Sequence, residues 1–174
     1  GHKLNDAPLF RLPFGQIFTR TVATPAIGML KGALDAYVET NATRAGRADG
    51  KKASDDPASQ EAVARASLTI REARALLHRD YDAMMELAQQ GIAITLEDRV
   101  AYRHHAGGVT HRMALALDDL FMESGGSAIF CDQRMNRFFQ DIHAARAHHA
   151  NNPRKTARNL GGVLLGRPTA DFFL

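Results

Sequence analysis

Tryptophan is absent from this 174-residue chain, cysteine occurs once, and aromatic residues make up only 7% of it. A lone thiol, Cys131, cannot close a disulfide within the chain. That excludes a disulfide-stapled secreted scaffold and fits a reducing compartment. No cysteine-enzyme signature surrounds Cys131, so it reads as a free thiol rather than a nucleophile. No apolar run approaches the ~20 residues that a membrane span requires. A charged segment followed by an apolar block, the mark of a signal peptide, is also missing at the start. The expectation is a cytoplasmic protein with no membrane partner. Alternation of apolar and polar residues, the mark of a half-buried strand, appears nowhere.

What is present is ordinary globular material: 45% hydrophobic and 24% charged residues, enough for one domain with a sizeable core. The net charge of +3 is unevenly placed. From Asp132 to Asp171, seven Lys or Arg face three acids, a local excess of four that accounts for the whole surplus. Such a face attracts anions, or is simply a solvated helix surface. Phe138 and Phe139 in this region fall on an apolar helix face, and no reading motif is evident, so no nucleic-acid partner is expected. Gly1-His2 reads as a cloning remnant, and the abrupt start marks a piece of a longer protein.

Helix follows helix. A first runs over 15–44, with Ile27, Leu30, Leu34 and Tyr37 on one face and Pro25 kinking it or marking its true start. Residues 4–13 read as extended, and 44–56 as an exposed, mobile loop. Asp56-Pro57 opens a second helix to Gln90, with the stripe Ile70, Ala73, Leu77, Tyr81, Met84 and Ala88 and a stop at Gly91. Thr95 to Asp98 resembles a capping box for a third helix ending at Ser124-Gly125-Gly126. Gly107-Gly108 inside it costs roughly 1 kcal/mol per glycine relative to alanine, which a close helix contact or a ligand would justify. A fourth helix spans 132–149, and a short last one opens at Asn152-Pro153 and ends at Gly166. The predicted fold is all-α: an antiparallel up-and-down four-helix bundle over 14–174 with a short extra C-terminal helix, after a lead-in over 1–13. Apolar surface on such long helices also predicts self-association.

Chemistry concentrates in two places. Gly125-Gly126-Ser127 lets a backbone approach a ligand closely and offers N–H groups to an anionic oxygen, although a helix cap and turn explain the same residues. Near the end of the fourth helix, His143, His148 and His149 supply imidazoles able to move protons near neutral pH. His104, His105 and His111 add further imidazoles, but no HExxH, Glu-x-x-His or Cys pair completes a metal site, so no metal is expected.

The segments LFMESGGSAIF, NRFFQDIHAARAHH and NPRKTARNLGGVLLG, with PFGQIFTRTVATPAIGMLKGALDAYVE at the start, resemble in this order the C-terminal helical domain of the acyl-CoA dehydrogenase superfamily. Within it they look like the oxygenase components of two-component flavin-dependent aromatic hydroxylases. Ala26-Ile27-Gly28 matches a helix–helix contact of that domain. The resemblance implies that an N-terminal helical domain and a central β-domain are missing from this chain. It also implies a tetramer built on the bundles, and a flavin cleft shared with a neighbouring subunit. Gly125, Gly126 and Ser127 would touch flavin, and Arg44 is a rough counterpart of a cofactor-binding arginine.

The same comparison separates two activities. Dehydrogenases carry a Tyr-Glu-Gly-Thr segment whose Glu removes a substrate proton. Here Asp141 matches the preceding Asp, Gln140 replaces the usual Arg, and His148-His149 occupy the Tyr-Glu positions. The resemblance then implies His148 as the proton-transfer residue beside reduced flavin (FMNH2 or FADH2) delivered by a flavin reductase. Oxygen would pass through a C4a-hydroperoxyflavin to an aromatic or polycyclic substrate. A dehydrogenase-like flavoprotein domain and a helical oligomerisation module without activity are the alternatives. Asp141, seven residues before His148, shares its face if the helix persists, or pairs with Arg137 one turn earlier.

Overall fold

The computed structural model describes residues 4–41, 52–169, 171, 173 and 174. Among these it is helical, without an extended strand: α1 (Phe14–Ala23), α2 (Pro25–Asn41), α3 (Pro57–Gln90), α4 (Leu96–Ser124), α5 (Arg134–Ala147) and α6 (Pro153–Leu164), with one-turn 3-10 segments between some of them. No helix among the described residues is long and apolar enough to cross a membrane.

The starts and stops follow local chemistry. Asp56 caps α3 by accepting from the Ser59 N–H at 3.0 Å, with Pro57 in the first turn, where its missing N–H costs nothing. Gly91 ends α3 at φ 70°, a left-handed conformation that favours glycine. The Thr95 hydroxyl oxygen accepts the Asp98 N–H at 3.1 Å and its O–H donates to the Asp98 carboxylate at 2.7 Å, a variant of the expected capping box. Pro25 breaks the predicted first helix in two. Thr24, at the break, keeps helical dihedrals, so α1 and α2 act as one interrupted element. Residues 4–13 are not wholly extended, since Pro8–Arg11 forms a 3-10 turn.

Helix ends pair as an up-and-down bundle requires. Tyr37, late in α2, donates to Ser59, early in α3, at 2.9 Å. His105–Asp80 and Arg65–Asp119 run α3 antiparallel to α4. Arg134, at the start of α5, meets Glu39 near the end of α2 at 2.9 Å. α4 is the central element and packs on α1, α2, α3, α5 and α6. Ala106, Val109, Met113, Ala114, Leu117 and Leu120 are fully buried along it, and the small side chains among them let neighbours close in. Each buried Leu or Met stabilises the fold by roughly 1.5–3 kcal/mol. The expected α3 stripe is buried except for Tyr81, which is half-buried.

Two glycines explain their positions by close approach. At Gly32 a Cβ would lie 2.6 Å from the Phe138 ring, so α2 receives α5 there. At Gly107 it would lie 3.0 Å from Thr156, which is how α6 seats on α4. Gly108 faces open space, so the expected contact belongs to Gly107 alone. In the expected contact Ala26-Ile27-Gly28, the first two are buried, whereas Gly28 is exposed and has nothing within 4 Å.

Candidate functional site

The predicted fourth helix stops short of His148. α5 ends at Ala147, and His148 is its cap, extended at φ −63° and ψ 135°. A 3-10 turn, His149–Asn151, follows. The physical reason lies in the neighbours that hold this turn. Arg103, buried on α4, donates from Nη1 to the Ala150 carbonyl at 2.9 Å. Asn151, fully buried, donates from Nδ2 to the Ala145 carbonyl at the end of α5 and to the Val22 carbonyl beside the Pro25 break, at 2.9 and 3.2 Å. Asn152 then caps α6 by accepting from the Arg154 and Lys155 N–H groups. Side chains here take over backbone groups that a continuing helix would have paired. Because the helix breaks, Asp141 does not share a face with His148, and it sits 3.8 Å from Arg137 instead.

The turn also sets the proton on His148. The Ala150 N–H donates to Nδ1 at 3.2 Å, so in the neutral ring the hydrogen is on Nε2. His148 is exposed in this chain, and its ring stands 6.3 Å from Phe18. Phe18 in turn lies between Phe14 and Phe173, with ring centroids at 5.7 and 5.8 Å. The C-terminal segment is tied down by buried Asp171. Its Oδ2 accepts from Asn159 at 2.9 Å, its Oδ1 accepts from the Phe173 N–H at 3.2 Å, and Lys155 Nζ is 3.7 Å away. None of Arg103, Asn151, Asp171, Phe14, Phe18 or Phe173 was visible as a site residue in the sequence. Arg103 was legible only as a charge within helical periodicity, and Asp171 and Phe173 only as part of the end beyond the last helix.

The glycine turn lies elsewhere. Gly125 ends α4 at φ 76° and ψ 173°, and Gly126–Ile129 forms a 3-10 turn in which Gly126 and Ser127 are exposed. A Cβ on Gly126 would meet nothing within 4 Å. Around it Met122, Ile129 and Phe130 are 76%, 57% and 61% exposed. Between this turn and His148 runs all of α5, 14 residues or about 20 Å of helix rise. One chain therefore does not bring Gly125, Gly126 and Ser127 to His148. Arg44 lies outside the described residues, as does most of the predicted loop over 44–56.

Of the other histidines, His104, His105 and His143 have side-chain partners, whereas Nδ1 of His111 is buried without one. His105 Nδ1 lies 2.7 Å from Asp80, which is fully buried and also receives Arg79 at 2.8 Å, with Arg20 at 3.9 Å. Burial alone pushes the Asp80 carboxyl up, but hydrogen bonds and charge from His105 and Arg79 outweigh it and hold it below the usual range. His143 Nε2 is 2.8 Å from Asp118, and His104 Nδ1 is 3.2 Å from the Thr156 hydroxyl. Burial, then the charges of His105 and Arg112, lowers the pKa of His104. Burial, then Arg146 and Arg154, lowers that of His111. Arg20 and Arg103 are likewise shifted down by burial, opposed by Asp80 and Asp171 respectively. A groove of about 1350 Å³ runs between α1/α2 and α3, with Ile27, Leu34, Ile70 and Leu77 in its lining and Lys31, Arg71 and Arg74 among its charged residues, and His148 does not line it.

With this geometry in view, residues 20–153 match the family described as acyl-CoA dehydrogenase, C-terminal domain. The chain belongs to that family. Among its relatives is the oxygenase subunit HsaA, a flavin-dependent monooxygenase, of Rhodococcus jostii strain RHA1, 34% identical over 172 residues. That alignment takes in 98% of this chain and 45% of the relative. A pigment production hydroxylase of Rhodococcus erythropolis is 31% identical over 144 residues, 82% of this chain and 36% of that protein. Among solved structures, the 3-HSA hydroxylase of Rhodococcus sp. RHA1 superposes with a TM-score of 0.91 at 33% identity, covering 99% of this chain and 45% of that one. The chain thus spans less than half the length of the relatives it matches. The all-α bundle expected from the sequence is the fold these relatives share.

Proposed function

We propose that this chain is the C-terminal bundle of the oxygenase component of a two-component flavin-dependent monooxygenase, which hydroxylates an aromatic substrate. Relatives are described as the oxygenase subunit of a flavin-dependent monooxygenase and as a hydroxylase, and one observation in the chain supports the reading most: an exposed imidazole, its Nδ1 held by a backbone N–H, beside aromatic rings. Reduced flavin, delivered by a separate reductase, supplies the electrons and the oxygen chemistry when bound. The residues present fit such a group. His148 is exposed, its Nδ1 is occupied by the Ala150 N–H, and its ring stands beside Phe18, which also meets Phe14 and Phe173.

His148 is the proton-handling residue of this reading. With Nδ1 occupied by the Ala150 N–H, the neutral ring offers a hydrogen bond from Nε2 to a reacting oxygen. Taking a proton at Nε2 from a phenol requires the ring to carry its own hydrogen on Nδ1 and give up Ala150. Donation is therefore the easier role. Gly125, Gly126 and Ser127, a helix length away, serve a flavin bound mainly by another copy, and Arg44 is a further cofactor-binding residue of this reading. That division of labour makes the active form a homo-oligomer, in our reading a tetramer.

The test uses the intact protein carrying this segment, supplied with reductase, NADH, flavin and a panel of phenols under O2. Hydroxylated product is expected from the wild type. His148→Ala is expected to lower its formation about 10²–10⁴-fold while leaving the melting temperature in place. Oxidation of reduced flavin with hydrogen peroxide as the sole product across the panel would sink the proposal.

A further inference from the structure

We propose that Phe14 and Phe18 form the face on which the substrate's aromatic ring stacks, and that Phe14 sets the preference for flat over saturated rings. This rests on the oxygenase reading above and adds to it the residues that select the substrate.

The two side chains stand one helical turn apart on the same side of α1. Their rings are 5.7 Å apart and inclined by only 26°. Phe18 is held from two further sides, by Phe173 at 5.8 Å and 29° and by His148 at 6.3 Å and 53°. Both of these are fixed in turn. Asp171 accepts the Phe173 N–H, and Gly15 makes room for the strap, since a Cβ there would collide with the Phe173 carbonyl. Ala150 orients His148. Phe14, by contrast, is 71% exposed.

Three other phenylalanines have evident packing roles, while the exposed Phe10 and Phe130 stand apart from this ring group. Phe138 fills the space that Gly32 leaves, and Phe121 and Phe139, 4.3 Å apart, pack on the main core. Phe14 belongs to neither core cluster. It is the exposed member of a ring group in which Phe18 also meets Phe173 and the exposed imidazole of His148. Aromatic rings attract one another in offset or tilted arrangements through their quadrupoles, beyond the area they bury. A saturated ring of equal size buries similar area without that attraction. The occupant that matches this row is a planar ring bearing a hydroxyl, which stacks on Phe14 and Phe18 and reaches Nε2 with its oxygen.

Binding of β-naphthol and of its saturated counterpart decalol to the intact protein, measured by calorimetry, tests this. Three forms are compared: wild type, Phe14→Leu and Phe14→Trp. Phe14→Leu is expected to weaken β-naphthol binding roughly three- to tenfold and to leave decalol unchanged, while Phe14→Trp retains the preference. Equal β-naphthol affinity in wild type and Phe14→Leu overturns the proposal. So does an equal loss for both ligands, which would mark Phe14 as ordinary packing under another part of the protein, and so does a wild type that binds no β-naphthol. Product analysis separates this from the parent reading. Hydroxylation of phenols with kcat and KM unchanged in Phe14→Leu removes the ring site and keeps the oxygenase. Phe14-dependent binding without hydroxylation of any phenol does the reverse.

Discussion

The two ends of this bundle are built on different principles. Toward the His148 end the interior is polar: Arg20, Asp80, Arg103 and Asp171 are all buried there, with Gln16 and Asn151 among them. Toward the Gly125 end the buried polar residues, Asn41, Ser59 and Asn136, carry no charge. The turn at that end is exposed, and large apolar side chains stand in the open around it. Buried charge is costly unless hydrogen bonds compensate it, and its usual return is geometric definition of whatever it touches. One end thus fixes the geometry of the His148 turn by itself. The other presents exposed backbone and apolar side chains, the surface on which the proposed site shared between copies rests.

The strongest way to break this contrast is through Asp80. Asp80→Ala leaves His105, Arg79 and Arg20 without their carboxylate, and is expected to cost about 3–5 kcal/mol in denaturant unfolding. A change under 1 kcal/mol would show that the polar half is not held by this cluster. Next is Arg103→Met, which keeps the stem but strands the Ala150 carbonyl. We expect about 1–3 kcal/mol of lost stability, together with a loss of turnover larger than that destabilisation explains, because the His148 turn is released. Activity at the wild-type level in a folded Arg103→Met protein would separate His148 from its support.

A pH series sharpens the same comparison with a smaller effect. His104 and His111 have folded pKa values below the unfolded value of about 6.5, so the fold prefers them neutral. Their contribution is complete above the unfolded pKa and is lost as pH falls through and below it, where the unfolded chain binds more protons. Stability is expected to decline from pH 7 to pH 5, and His104→Gln with His111→Gln to flatten that slope. An unchanged slope in the double variant would assign the decline to other groups. At the glycine end, Gly125→Ala forces alanine to φ 76° and ψ 173°, a region essentially confined to glycine, at a cost of about 1–3 kcal/mol. Gly126→Ala meets no neighbour and should change stability by less than about 0.5 kcal/mol. If flavin approaches that backbone, the same variant weakens reduced-flavin binding in the assembled protein. Unaltered flavin affinity would leave Gly126 as part of a turn alone.

Much of the scaffold could be read residue by residue. Asp56-Pro57 and Gly91 bounded α3, Thr95 opened α4, and Asn152-Pro153 opened α6, because capping is local chemistry that needs only a few neighbouring residues. The apolar stripes located the core face for the same reason. The end of α5 was misplaced by two residues. Nothing in HAARAHH stops a helix; Arg103 from α4 and Asn151, which also ties this turn to Val22 of α1, hold the turn that does. Asp80 sat within a helical stripe and still became a fully buried carboxylate, because its partners come from three helices, α1, α3 itself and α4.

By itself, the sequence determined the helices, their apolar faces, the bundle and the family, since periodicity, caps and residue order are properties of the chain. Tertiary structure alone decided which polar groups meet. It joined Arg103 of α4 to the Ala150 carbonyl, brought Phe173 from the far end of the chain onto Phe18, and placed the glycine turn a full helix away from His148. Contacts of that kind join residues far apart in sequence, and only the packed helices define the distances between them.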